Sequence, residues 1–145
     1  MGDQGINLMA LSLNQLAQLK QSIEEEMQGL SGALQQLQVS KNKLIISKAS
    51  LEKVTKTPEG TPMLVPVTGS MYVRGETAQM QTLLVDVGTG YLIEKSPDEA
   101  QNFLSRKIQL IDDQAGNVQK TASIKQSQLQ DTVNVMNQKV ISGGA

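Results

Sequence analysis

The chain has no cysteine, no histidine and no tryptophan, and its aromatic residues are Tyr72, Tyr91 and Phe103. Without cysteine a secreted disulfide scaffold is excluded, and the redox compartment cannot be read from disulfides. Without histidine or cysteine the commonest general base, the thiol nucleophile and most zinc sites are missing. No enzymatic activity, no cofactor and no metal are therefore expected. Aromatics supply much of the buried area of a compact core, and three in 145 residues are few. An elongated fold held by aliphatic residues fits the shortage. Thirteen Lys and Arg nearly balance fourteen Asp and Glu, with no basic block. Neutralising phosphates takes clustered cations, and gripping single strands takes stacking aromatics, so no nucleic acid is expected as a partner. No apolar run reaches the ~18 residues of a membrane span. The N-terminus lacks the pattern of a signal peptide. The expectation is a soluble, intracellular protein.

What the chain does have is a heptad. Leu16, Ile23, Leu30, Leu37, Leu44 and Leu51 recur at a spacing of seven, the mark of a coiled-coil seam. Ser12 and Gln15 form an S-x-x-Q capping box, and Leu11 with Leu16 has the spacing of a hydrophobic staple. The first helix is expected from Ser12 to about Lys56, where Thr57-Pro58-Glu59-Gly60 stops it. Three residues after each seam position stand Leu19, Glu26, Ala33, Ser40, Ser47 and Val54. Four after stand Lys20, Met27, Leu34, Lys41, Lys48 and Thr55. The second row is small or polar either way, which favours a partner helix of complementary sizes over a second parallel copy.

Residues 63–95 read as strands. Met63–Val67, a turn at Thr68-Gly69-Ser70, and Met71–Val73 form one hairpin. Pro66 cannot donate to a ladder and belongs at an edge or bulge. Leu83–Val87, a turn at Gly88-Thr89-Gly90, and Tyr91–Lys95 form a second. Two hairpins are too little sheet to stand alone in water, and their open edges invite other chains. Oligomerisation through this head is expected, carried by Leu64, Val65, Val67, Met71, Tyr72, Val73, Leu84, Val85, Val87, Tyr91 and Ile93.

A second long helix starts at Ser96, a good N-cap, followed by Pro97, Asp98 and Glu99. Its seam reads Leu104, Ile108, Ile111, Ala115, Val118 and Ala122. Lys125 then breaks the phase, and Leu129, Val133, Met136 and Val140 resume with a shift. The two helices have nearly equal lengths, roughly 65 Å at ~1.5 Å per residue. Equal arms around a compact insert suit an antiparallel intrachain coiled coil with both chain ends at one tip. Apolar residues gather there: Ile6, Leu8, Met9 and Leu11 from one end, Val133, Val135, Met136, Val140 and Ile141 from the other.

Other features have plain readings. Glu24-Glu25-Glu26 and Asp112-Asp113 point in different directions on a helix and do not converge on one site; Glu26, on the seam side, is suited to a Lys across the coil. Gly88-Thr89-Gly90 lacks the P-loop spacing and reads as a turn. Gly29, Gly32 and Gly116 weaken the helices by about 1 kcal/mol each, which reads either as tolerance of weak positions in a long coil or as a soft midsection.

The strand residues carry a resemblance. Leu64-Val65-Pro66-Val67-Thr68 with Ser70-Met71-Tyr72-Val73 is similar to the first hairpin of eukaryotic α-type prefoldin subunits. Leu84-Val85-Asp86-Val87-Gly88-Thr89-Gly90-Tyr91 with Glu94-Lys95 is similar to the second. One departure is Arg74, where the family pattern has Pro before Gly75. The resemblance implies a mainly α fold: a coiled-coil hairpin headed by two β-hairpins. As one domain it divides into a lead-in over 1–11, helix over 12–57, head over 58–95, helix over 96–141 and tail over 142–145. It implies a hetero-hexamer with one further α-type and four β-type subunits. Such a complex is an ATP-independent holdase of the cytoplasm, with room for a nuclear pool. Its tips take non-native actin and tubulin and pass them to the cytosolic chaperonin. The rival expectation is a coiled-coil scaffold, tether or transcriptional co-regulator that binds one folded partner.

Overall fold

A computed structural model describes residues 7–143. The chain is mainly helical: a short 3-10 turn at Leu8–Ala10, helix α1 at Leu13–Lys56, strands β1 (Pro62–Thr68), β2 (Met71–Glu76), β3 (Leu83–Asp86) and β4 (Leu92–Lys95), and helix α2 at Pro97–Ile141. It forms two compact units. One is drawn from Met1–Val39 and Asp113–Ala145, the other is Ser40–Asp112.

Local chemistry sets the helix ends. The Ser12 amide donates to Gln15 Oε1 at 3.0 Å, and the Gln15 amide donates to Ser12 Oγ at 3.2 Å, a complete capping box. At α2 the Glu99 amide donates to Ser96 Oγ at 3.2 Å, with Asp98 and Glu99 against the positive end of the dipole. Past α1, Gly60 takes a φ of +80°, a conformation that suits a residue without Cβ, and the chain turns into β1.

In the unit Ser40–Asp112 the two helical segments run antiparallel. Lys41 Nζ meets Asp112 Oδ1 at 2.6 Å, and Gln101 Nε2 donates to Glu52 Oε1 at 3.1 Å, so one helix ascends as the other descends. Leu44, Leu51, Leu104, Ile108 and Ile111 are half-buried between charged flanks, and Ala100 is buried. In the other unit Lys125 Nζ meets Glu26 Oε2 at 2.5 Å. There Leu16 and Ile23 are buried, and Leu30, Leu37, Val118 and Leu129 are half-buried.

On α1 the sequence left two companion rows open, and the structure favours the one four residues on: Lys20, Met27, Leu34, Lys41 and Lys48 are half-buried and Thr55 is exposed, whereas in the other row only Leu19 is half-buried and Glu26, Ala33, Ser40, Ser47 and Val54 are exposed. The seam of α2 differs from the sequence reading. On α2 the phase does not shift at Lys125. The row of alternating four and three continues through Lys125, Leu129, Thr132, Met136 and Lys139, and Thr132 is 1% exposed. Polar residues hold seam positions because their polar atoms are satisfied. Lys125 lays its aliphatic stem along the seam and delivers its ammonium to Glu26. The Thr132 hydroxyl donates to the Gln128 carbonyl at 2.8 Å within its own helix.

The strands make two separate antiparallel pairs, β1–β2 and β3–β4. In the first, Val65 faces Val73, Leu64 faces Arg74 and Pro66 faces Tyr72, with an irregularity between Pro66 and Thr68. Pro66 thus lies beside a bulge, where a missing donor does least harm. Strand β2 runs through Arg74 to Glu76. In the second pair Val85 faces Ile93 and Asp86 faces Leu92. Its turn is closed by the Gly88 amide on Asp86 Oδ1 at 2.9 Å, and Gly88 and Gly90 take φ of +94° and +80°.

Candidate functional site

Strand alternation gives each hairpin two faces. One face of β1–β2 carries the apolar residues Met63, Val65, Met71 and Val73, with Thr68 opposite Met71 in register. The other carries Leu64, Pro66 and Tyr72 with Arg74 and Glu76. Neither face is covered. Leu64 is 61% exposed, Val67 58%, Met71 59% and Tyr72 60%, and Val65 and Val73 are exposed as well. The second hairpin repeats this: Leu84, Tyr91, Leu92 and Ile93 are exposed, while Val85 and Val87 are half-buried. Scattered exposed apolar residues are ordinary on a protein surface, but a contiguous apolar face marks an interaction site. Met63 and Leu92 belong to these faces too; sequence reasoning omitted them, although strict alternation from Val65 and Glu94 reaches both.

One polar residue anchors the first hairpin, and the sequence did not announce it. Thr77 Oγ1 donates to the Pro58 carbonyl at 2.7 Å and accepts from the Thr61 amide at 3.0 Å. Its backbone amide donates to the Thr61 carbonyl, and its carbonyl accepts from the Gly60 amide. Thr77 thus closes the base of the hairpin.

In the unit that holds both helix ends, Met9 and Val140 are exposed and Ile141 is 86% exposed. Leu8, Leu11, Val133, Val135 and Met136 are half-buried. Ile6 lies outside the described residues. Asn7 shapes the entry, its Oδ1 accepting from the Met9 amide at 3.2 Å.

The carboxylate runs have structural partners. Glu24 pairs with Lys20, Glu25 accepts from Gln21, Glu26 pairs with Lys125 and Asp112 with Lys41. Among the described residues no group of three or more acids could hold a metal ion. No helix there is long and apolar enough to cross a membrane.

A helix–two hairpins–helix chain with capped heptad arms and bare strand faces is also what known proteins match. The family model for prefoldin subunits matches residues 13–142. The chain belongs to the prefoldin family. Its relatives include the probable prefoldin subunit 5 of Dictyostelium discoideum, 39% identical over 137 residues that cover 94% of this chain and 85% of the relative. Prefoldin subunit 5 of Homo sapiens is 37% identical over 137 residues, covering 94% and 89%. That of Arabidopsis thaliana is 32% identical over 130 residues, covering 90% and 86%. Among solved structures, a chain of the filamentous PFD from Methanocaldococcus jannaschii, determined by cryo-EM, shares the fold. Its TM-score is 0.70 at 19% identity, covering 81% of this chain and 98% of that one. Prefoldin subunits are components of a chaperone, and the α-type layout of two hairpins between two heptad helices is present here in full.

Proposed function

We propose that this chain is an α-type subunit of a cytosolic hetero-hexameric prefoldin that holds non-native proteins without ATP. The observation that carries the reading is the exposure of the hairpin side chains. Leu64, Val67, Met71, Tyr72, Leu84 and Tyr91 are each more than half exposed on the lone chain. Isolated two-stranded sheets with bare apolar faces are marginal in water, so these faces are built to be covered. In this reading they join one further α-type and four β-type subunits in a common platform.

The client site in the same reading is the apolar set Leu8, Met9, Leu11, Val133, Val135, Met136, Val140 and Ile141, extended by Ile6. Flexible Met, Leu and Val surfaces adapt to the irregular apolar patches of unfolded chains. Actin and tubulin are the clients proposed, and the cytosolic chaperonin is the acceptor. The complex works by mass action and surface chemistry, with no bond made or broken.

Native mass spectrometry of the tagged chain purified from its own cells tests the assembly. A six-subunit complex with two two-hairpin chains and four others is expected. A homodimer, or one folded partner at fixed stoichiometry, would replace the holdase with a tether. Removing residues 1–11 and 133–145 should abolish suppression of client aggregation while assembly persists. Full protection by the trimmed complex would refute the placement of the client site.

A further inference from the structure

We propose that Met63 and Met71 form an oxidation-sensitive latch on assembly, an inference that rests on the platform reading above. With no cysteine and no tryptophan in the chain, methionine is its softest target for peroxide. Two of the seven methionines share one face of the first hairpin. Met63 lies opposite Gly75 in register, next to the facing pair Val65 and Val73, and Met71 follows two residues before Val73 on the same face. They are 47% and 59% exposed on the lone chain, and no charged residue interrupts their face. A subunit not yet assembled therefore offers both sulfurs to solvent, while an assembled one covers them.

The chemistry is two-electron oxygen transfer from hydrogen peroxide. One peroxide oxygen forms a bond to the methionine sulfur, the O–O bond breaks, and water leaves. The sulfur is oxidised and the peroxide reduced, and the backbone is untouched. The product sulfoxide is polar, and Val65 and Val73 beside it offer no donor. Thr68, opposite Met71 in register, carries one hydroxyl, so burying both sulfoxides leaves at least one oxygen without a hydrogen bond. Oxidation at both sites should weaken joining at least about tenfold, the size of one unpaired polar group in an interface. Methionine sulfoxide is reducible by dedicated reductases, which makes the latch reversible. Unassembled subunits would be held back under peroxide, and complexes formed beforehand would persist.

The test treats the full-length chain with hydrogen peroxide, quenches with free methionine, adds the partner subunits and reads assembly by native mass spectrometry. Peptide mapping follows oxygen at each methionine. The wild type oxidised at both sites should assemble at least about tenfold less well. The double variant Met63→Leu, Met71→Leu should assemble normally after the same dose, and Met80→Leu, outside the strands, should not rescue. In the preformed complex Met63 and Met71 should resist oxidation while exposed Met9 reacts. Equal losses in wild type and double variant, or normal assembly of wild type oxidised at both sites, would overturn the latch. A Val65→Glu arm separates the two ideas. Assembly of that variant at full strength would overturn the platform reading itself, whereas its failure beside indifferent sulfoxides would overturn the latch alone.

Discussion

Replacing Leu16 by Ala should loosen the unit that holds both helix ends and leave the hairpins untouched. Leu16 is 0% exposed, while the other heptad leucines of α1, Leu30, Leu37, Leu44 and Leu51, are only half-buried. It is also the residue at which the entry turn, the capping box and the seam meet, since the Leu16 amide donates to the Ser12 carbonyl at 2.9 Å. A fully buried Leu→Ala change costs about 2–5 kcal/mol, and a two-helix seam can close part of the cavity, so about 3 kcal/mol is expected. At ~1.4 kcal/mol per factor of ten this is roughly a hundredfold in the local opening equilibrium. Hydrogen exchange by mass spectrometry on the assembled complex reads it directly. Amides over 13–27 and 125–139 should exchange roughly a hundredfold faster, and those over 62–76 should not change. Leu44→Ala, in the other unit and half-buried, should cost about half as much because less area returns to water. Equal effects from the two substitutions, or none over 125–139, would refute the claim that Leu16 is the keystone of its unit.

Three further outcomes follow from particular contacts. Thr77→Val removes a donor to Pro58 and an acceptor for the Thr61 amide, at about 1–2 kcal/mol, whereas Thr77→Ser keeps both; exchange at the hairpin base distinguishes them. Gly29, Gly32 and Gly116 have no atom within 4 Å of an added Cβ, so Ala at all three should stabilise the helices by about 1 kcal/mol each, and unchanged amide protection around them would count against a soft midsection. Lys125→Leu gives up an ion pair whose acid is half exposed, worth ~0.5 kcal/mol, and fills a seam position with aliphatic area; the urea midpoint should rise, and a fall would show that the pair outweighs burial.

Features governed by neighbours in sequence were legible before any coordinates. The S-x-x-Q box, the Ser96 cap, the Gly88 and Gly90 turns and the bulge beside Pro66 all depend on residues within a few positions, so the sequence contains their whole cause. The Lys for Glu26 was legible as a type, and Lys125 is the residue that fills it. The choice of companion row was not legible. A heptad fixes one row of a helix, but the rotation that selects Met27 and Leu34 over Glu26 and Ala33 depends on the partner helix. Lys125 looked like a break, and Val133 took the place of Thr132 in the seam, because a polarity pattern sees heads and not stems. The stem of Lys125 and the self-satisfied hydroxyl of Thr132 let both lie on the seam. The Thr77 clasp joins residues 16 and 19 positions apart, beyond any local rule.

The scarcity of aromatics and the bareness of the strands have one physical root. Among the described residues the buried apolar side chains are only Leu16, Ile23 and Ala100, so a lone chain removes little apolar surface from water. Helix caps and ion pairs add small increments, and the seam itself carries lysines at Lys20, Lys41, Lys48, Lys125 and Lys139. A large remaining reserve of stabilisation is the exposed apolar surface of the two hairpins, which the proposed assembly would release by covering it. Folding and assembly are then linked by mass action, because a partner that binds the folded head alone stabilises it in proportion to the logarithm of its concentration. In the proposed assembly the hairpin faces would meet partner subunits, and the exposed apolar residues at the helix ends, Met9, Val140 and Ile141, would stay outside that demand.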